Sequence, residues 1–158
     1  MKFRLDSVQA TKIDFQSETF SHSLTKTPIV EAFHVDVLSS TKPEKKFGIQ
    51  FSFTIKNKNG KFILNLEMIA HFITDEIFTK EMIGSDMVLI NAPAISFPYI
   101  RAFVSNLTLN SGYSPIFLPT YNFVQFAADK RARVDSGSDA QSEPKLIKKI
   151  SINTKSKH

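Results

Sequence analysis

The sequence predicts an α+β fold: a four-stranded antiparallel meander, then a long crossover loop, then two helices packed on one face of the sheet. Three patterns point that way. Strict apolar–polar alternation runs through residues 47–72, an Asn-Gly pair splits that stretch in two, and helical spacing of apolar residues begins only after residue 95.

The first segment is the least regular strand. Phe3 and Leu5, then Val8 and Ala10, then Ile13 and Phe15 change parity twice, as a long strand with two bulges would. Phe33, Val35 and Val37 alternate with His34 and Asp36 to give a second strand. In the third, Phe47, Ile49, Phe51, Phe53 and Ile55 share one face, with Gly48, Gln50, Ser52 and Thr54 on the other. Asn57-Lys58-Asn59-Gly60 follows, and Asn-Gly suits a tight hairpin because both positions accept positive φ. The returning strand puts Phe62, Leu64, Leu66, Met68, Ala70 and Phe72 on one face. A crossover from Thr74 to Ile95 comes next, with one helical turn expected near Glu76 to Met82. Phe97, Ile100, Phe103, Val104 and Leu107 then suit a helix with Pro98 in its first turn and Gly112 just past its end. A short second helix is expected from Asn122, with Asn122 and Gln125 at N-cap and N3 spacing.

With 158 residues, 42% of them hydrophobic, the chain can bury the core of one domain. It has no cysteine, which removes disulfides, thiolate metal sites and Cys nucleophiles and fits a reducing cytoplasm. Its five glycines lack the spacing of a phosphate-cradling loop. The uncharged stretch from Met87 to Ile100 is too short for a membrane span and carries two prolines, and the N-terminus lacks a signal-type apolar block. A cytoplasmic protein without stable membrane insertion is expected. The net charge of +5 is unevenly placed: residues 1–128 hold 12 Lys/Arg against 11 Asp/Glu, and residues 129–158 hold 8 against 4. This divides the chain into a folded domain over 1–128 and a basic, disordered tail over 129–158. The tail's lysines (Lys145, Lys148, Lys149) come without interleaved aromatics, so no nucleic-acid partner is expected.

Catalytic patterns are missing. His22, His34, His71 and His158 share no ligand spacing, and no metal site is expected. Asp75, Glu76, Glu81 and Asp86 make the densest acidic run but have no partner base or nucleophile motif. Neither G-x-S-x-G nor H-E-x-x-H occurs. The composition points away from an enzyme and from any cofactor.

The long loops say more. Ile77, Phe78, Met82 and Ile83 in the crossover, with Tyr113, Ile116, Phe117, Leu118 and Tyr121 in the 112–121 loop, are more apolar side chains than one small sheet with two helices can bury. Subunits or extended peptides are expected to pack there.

Asn91-Ala92-Pro93, Phe97-Pro98-Tyr99 with Arg101, Pro115 to Pro119, and Asn122-Phe123 follow one another in an order that resembles the SecB protein-export chaperone family over most of residues 1–127. The resemblance implies an ATP-independent holdase for unfolded preproteins, assembled as a homotetramer (a dimer of dimers). It implies client grooves lined by the crossover, the helix-connecting loop and the second helix, which adds Phe123 and Phe126 to the candidate peptide-binding residues. In export-dedicated members, acidic residues on the outer sheet face are expected to meet the SecA ATPase. Aligned on that pattern, this chain has Lys12 and Gln16 at two acidic positions and Asn65 at a third, leaving Asp14 and Glu67 as the neighbouring carboxylates. That departure implies client holding without strong SecA binding. The rival expectation is a SecB-like chaperone dedicated to one client, such as an antitoxin.

Overall fold

A computed structural model describes residues 1–18, 29–57 and 61–135. Four strands, β1 (Phe3–Ser17), β2 (Ile29–Ser39), β3 (Lys46–Lys56) and β4 (Phe62–Thr74), form one antiparallel sheet in the order β1-β4-β3-β2. A 3₁₀ turn (Lys80–Gly84) and a π-turn (Met87–Asn91) lead into α1 (Ala92–Asn110), and α2 (Phe123–Asp135) follows. The α+β class is as the sequence predicts.

The meander needs a correction. β2, β3 and β4 are successive neighbours, but β1 lies beside β4, making the order that of a Greek key. Alternation fixes which face of a strand is buried, not which strand lies alongside. β1 has 15 residues and pairs along the whole of the 13-residue β4, from Phe3↔Thr74 to Ser17↔Phe62. Its register slips between Leu5 and Ser7 and again between Ala10 and Lys12, where the apolar parity changes. The expected turn at residues 58–60 lies outside the described residues. The strands flanking it pair as far as Lys56↔Ile63, and Asn57 N–H donates to the Phe62 carbonyl at 3.2 Å.

The odd-numbered residues of β3 and the even-numbered residues of β4 make the apolar face. Ile49, Phe51, Ile55, Phe62, Leu64, Ala70 and Phe72 are fully buried there. Both helices come to this face. α1 begins at Ala92, with Pro93 in its first turn, and so runs through Pro98 instead of starting there. The π-turn before it is why: it brings the chain into Ala92 already in helical dihedrals. Ser111 and Gly112 close α1 as expected. Gly112 takes φ +87°, its N–H meets the Leu109 carbonyl (3.0 Å), and Tyr113 N–H meets the Thr108 carbonyl (3.1 Å), a full Schellman pair. Asn122 caps α2 through Oδ1, which accepts from Val124 and Gln125 N–H at 3.1 and 3.2 Å. The Gln125 side chain does not return to the cap but donates to Asp129 (2.8 Å). α2 reaches Asp135, beyond the boundary expected at residue 128, and residues 136–158 lie outside the described residues.

Met87–Asn110 forms one 24-residue helical run, long and apolar enough by length and composition to cross a membrane, where the sequence reading stopped at Ile100. Phe97, Ile100, Val104 and Thr108 bury its inner side in the fold, as in the core helix of a globular domain.

Candidate polypeptide-binding surface

The loop from Ser111 to Asn122 crosses the apolar face of the sheet from one edge to the other. Tyr113 packs on Phe15 of β1 and Phe62 of β4, at ring separations of 5.5 and 5.6 Å. Tyr121 stacks on Phe33 of β2 at 3.9 Å and meets Phe97 of α1 edge-on at 5.3 Å. Burial raises the Tyr121 hydroxyl pKa. Thr108 ties the middle of the loop down: its buried hydroxyl oxygen accepts the Ile116 N–H at 3.0 Å. Ile116, Phe117 and Leu118 lie between Pro115 and Pro119, and Pro119 biases Leu118 toward an extended backbone. Ile116 and Leu118 are buried, whereas Phe117 is 73% exposed.

The ten expected peptide-binding residues therefore separate into three kinds. Phe117 and Ile77 are exposed; Met82, Tyr113, Tyr121 and Phe126 are half-buried; Phe78, Ile116, Leu118 and Phe123 belong to the core. In the protomer the last four pack into the core. Phe78 stacks on Phe47 at 4.7 Å, and Phe123 lies edge-on to Phe97 at 5.6 Å. Nor does the set form one groove. Tyr121, Phe123 and Phe126 gather around Phe33 and Phe97. Phe78 sits on Phe47, which pairs with Phe72, while Tyr113 sits on Phe62, ten residues away along β4 or about 33 Å.

Two surfaces were missed. Val124 is 61% exposed on the first turn of α2. On α1, Ile95, Tyr99 and Leu109 are exposed and, with Ala102, follow a spacing of four, three and seven down one side. Since the opposite side is buried too, α1 is apolar nearly all round, which is the sequence signal for a helix covered on both sides. Ile13, exposed on β1, adds to the apolar surface outside the core.

The residues expected to meet a translocase lie on the polar face and do come together. Asp14 is the register partner of Asn65, and Lys12 that of Glu67. Asn65 donates to Asp14 at 3.4 Å and accepts from Thr54 at 3.0 Å; Gln16 donates to Asp14 at 3.1 Å and Gln50 to Glu67 at 3.4 Å. A shallow depression of about 170 Å³ is lined by Lys12, His34, Thr54, Asn65 and Glu67. Nearby, desolvation lowers the pKa of His71; Lys46 works the same way and Asp6 opposes it. Among the described residues no group of His, Asp or Glu side chains could hold a metal ion.

Residues 4–133 match the family described as preprotein translocase subunit SecB. The protein-export protein SecB of Roseobacter denitrificans is 29% identical over 91 residues, covering 56% of this chain and 54% of that protein. An uncharacterized protein of Methanocaldococcus jannaschii is 28% identical over 120 residues, covering 61% and 77%. The chain spans about half the length of the SecB proteins it matches. Among solved structures, a Mycobacterium tuberculosis SecB-like chaperone in complex with an antitoxin peptide has a TM-score of 0.58 at 18% identity, covering 76% of this chain and 90% of that one. That likeness is one of fold.

Proposed function

The chain belongs to the SecB family, and from that membership and its apolar loop we propose that it is a cytoplasmic, ATP-independent holdase that keeps unfolded polypeptides soluble. The observation that carries this reading is Phe117. Two buried neighbours and the Thr108 hydrogen bond hold its ring in the open, an arrangement that contributes nothing to the core of the protomer. That the Mycobacterium tuberculosis chaperone was solved with a peptide bound supports a polypeptide as the ligand here. Burying one client side chain gains about 1.5–3 kcal/mol, and ordering the client offsets much of the total, so a single site should bind at about micromolar Kd.

The exposed stripe of α1 supports assembly into a homotetramer, which would multiply weak sites into avid holding. Light scattering combined with suppression of aggregation of a chemically unfolded protein tests the proposal. A multimer that suppresses aggregation at stoichiometric amounts is expected. A stable monomer without that activity overturns it.

A second reading concerns export. Lys12 stands opposite Glu67, and neutral Asn65 lies between Asp14 and Thr54, so the polar face offers a translocase few free carboxylates. This favours service to a dedicated client over strong coupling to SecA. Calorimetric titration with SecA should give no sub-micromolar binding; such binding, weakened by Asp14→Asn or Glu67→Gln, would refute it.

A further inference from the structure

Thr108 is where α1 meets the loop that follows it. Its carbonyl accepts the Tyr113 N–H at 3.1 Å and its hydroxyl oxygen accepts the Ile116 N–H at 3.0 Å, so one residue holds the loop at two places. Pro115, just before the second of them, has no N–H to place. The hydroxyl proton is committed elsewhere. It lies between the Val104 and Ser105 carbonyls, at 3.0 and 3.1 Å, back along α1. With its proton turned to the helix, Oγ1 serves the loop only as an acceptor, and the residue is fully buried.

Packing by itself does not explain which side chains of the loop point inward. From Pro115 to Pro119 every residue is apolar, so two parities bury apolar surface: Ile116 and Leu118 inward, or Pro115, Phe117 and Pro119 inward. Hydrophobicity specifies register weakly where the two sides of a stretch are alike. In the structure Ile116 and Leu118 are buried, and Phe117, the largest side chain of the five, is the one left outside. A directional contact separates the two parities, and the Ile116 N–H bond supplies one. Turning the loop over by one residue takes that N–H away from Thr108 and leaves a buried hydroxyl without its loop donor. The far end is held independently, where Tyr121 stacks on Phe33 at 3.9 Å.

We propose that Thr108 is a positioning residue that sets the parity of this loop: its hydroxyl selects the arrangement in which Phe117 faces solvent, and without it the ring turns inward. Thr108 touches no client and acts through Phe117. The proposal rests on the holdase reading and names the residue on which presentation of the client-binding ring depends.

The test uses the full chain and a fluorescently labelled, permanently unfolded polypeptide, reduced and alkylated α-lactalbumin, followed by anisotropy. Thr108→Val keeps the shape of the side chain and removes the acceptor. It should weaken binding about five- to thirtyfold, as much as Phe117→Ala, and the double variant should bind no more weakly than Phe117→Ala alone. Thr108→Ser keeps the hydroxyl and should bind within about twofold of the parent. A second readout separates positioning from general loosening. With 4-fluorophenylalanine at position 117, a soluble nitroxide should broaden the fluorine resonance in the parent and in Thr108→Ser, and should lose that effect in Thr108→Val. Should Thr108→Val not fold, replacing Ile116 by its α-hydroxy acid deletes the N–H from the donor side and should give the same two results. Parent-like binding by the acceptor-deleted or donor-deleted protein, a further loss in the double variant, or a ring that stays open to the nitroxide each overturns the proposal. If Phe117→Ala weakens binding while the Thr108 change does not, only the positioning role falls; if the parent fails to bind the unfolded chain, the holdase reading falls with it.

Discussion

Phe117 and Leu118 are adjacent in one loop, yet one is exposed and the other buried, and under the proposed holdase role replacing each by Ala separates binding from packing. Leu118 is 1% exposed in the core under the loop. Removing a buried leucine side chain costs about 2–5 kcal/mol, the lower half of that range applying where the surroundings can relax. A loop pinned by the Thr108 hydrogen bond relaxes only in part, so about 3–4 kcal/mol is expected, which for a chain of this size lowers Tm by about 6–16 °C. Phe117 is 73% exposed, and truncating it should change stability by no more than about 0.5 kcal/mol. Under the proposed holdase role its effect falls on binding. Full burial of a phenylalanine is worth about 1.5–3 kcal/mol. With roughly three-quarters of the ring available to a client, about 1–2 kcal/mol is at stake, or about five- to thirtyfold in Kd. Urea unfolding at fixed protein concentration, with anisotropy of a labelled unfolded polypeptide, measures both quantities. The reasoning fails if Phe117→Ala destabilises as much as Leu118→Ala. It fails equally if Phe117→Ala breaks the assembly while leaving client affinity unchanged, since the ring would then serve a subunit contact.

Two further outcomes follow from the same structure. Tyr99→Asp with Leu109→Asp places charge on the exposed side of α1 and should reduce the scattering mass without melting the protomer; a multimer of unchanged mass would rule that stripe out as a subunit contact. His71, half-buried between Asp6 and Lys46, has its pKa lowered chiefly by desolvation, so the unfolded chain binds its proton more readily than the folded one. Its contribution to stability is whole above the ordinary histidine value of about 6.5 and is lost as pH falls through the lower folded value. Unfolding free energy measured across that window should drop on acidification, and His71→Gln should flatten the drop; an unchanged slope would refute the assignment.

Local pattern made some features legible and tertiary context hid others. The bulges of β1 could be read because each extra residue flips the apolar parity, and both flips are visible between Leu5 and Val8 and between Ala10 and Ile13. Gly112 and Asn122 could be read because positive φ and N-capping select those residue types. The neighbour of β1 could not, since pairing across more than forty residues leaves no local trace. The start of α1 was ambiguous because Pro93 and Pro98 both suit a first turn, and only the π-turn upstream decides between them. In the loop a usable signal was present. Pro119 biases Leu118 toward an extended backbone, and an extended Ile-Phe-Leu sends its middle side chain the other way. Reading 112–121 as uniformly apolar missed that alternation.

The two exposed apolar surfaces differ in what kind of partner they can serve. On α1, Ile95, Tyr99 and Leu109 stand at fixed helical intervals on a 19-residue rod whose other side is locked into the core. Such a surface is complementary to one shape, because ridges and grooves at set spacing fit only a partner of matching spacing, and a second copy of the same helix supplies it. The loop is built otherwise. Phe117 presents one ring to any apolar side chain. On the proposed holdase reading, recognition there is generic and affinity per site correspondingly modest. The two surfaces should accordingly fail in different ways. On the proposed reading, damage to the loop should lower intrinsic affinity at each site and be seen with short peptides. Damage to α1 leaves short-peptide affinity unchanged and lowers the hold on long unfolded chains, because those depend on several sites being carried by one assembly. A change in α1 that weakened short peptides as much as long chains would mean that assembly and client binding share one surface, and this division of labour would be wrong.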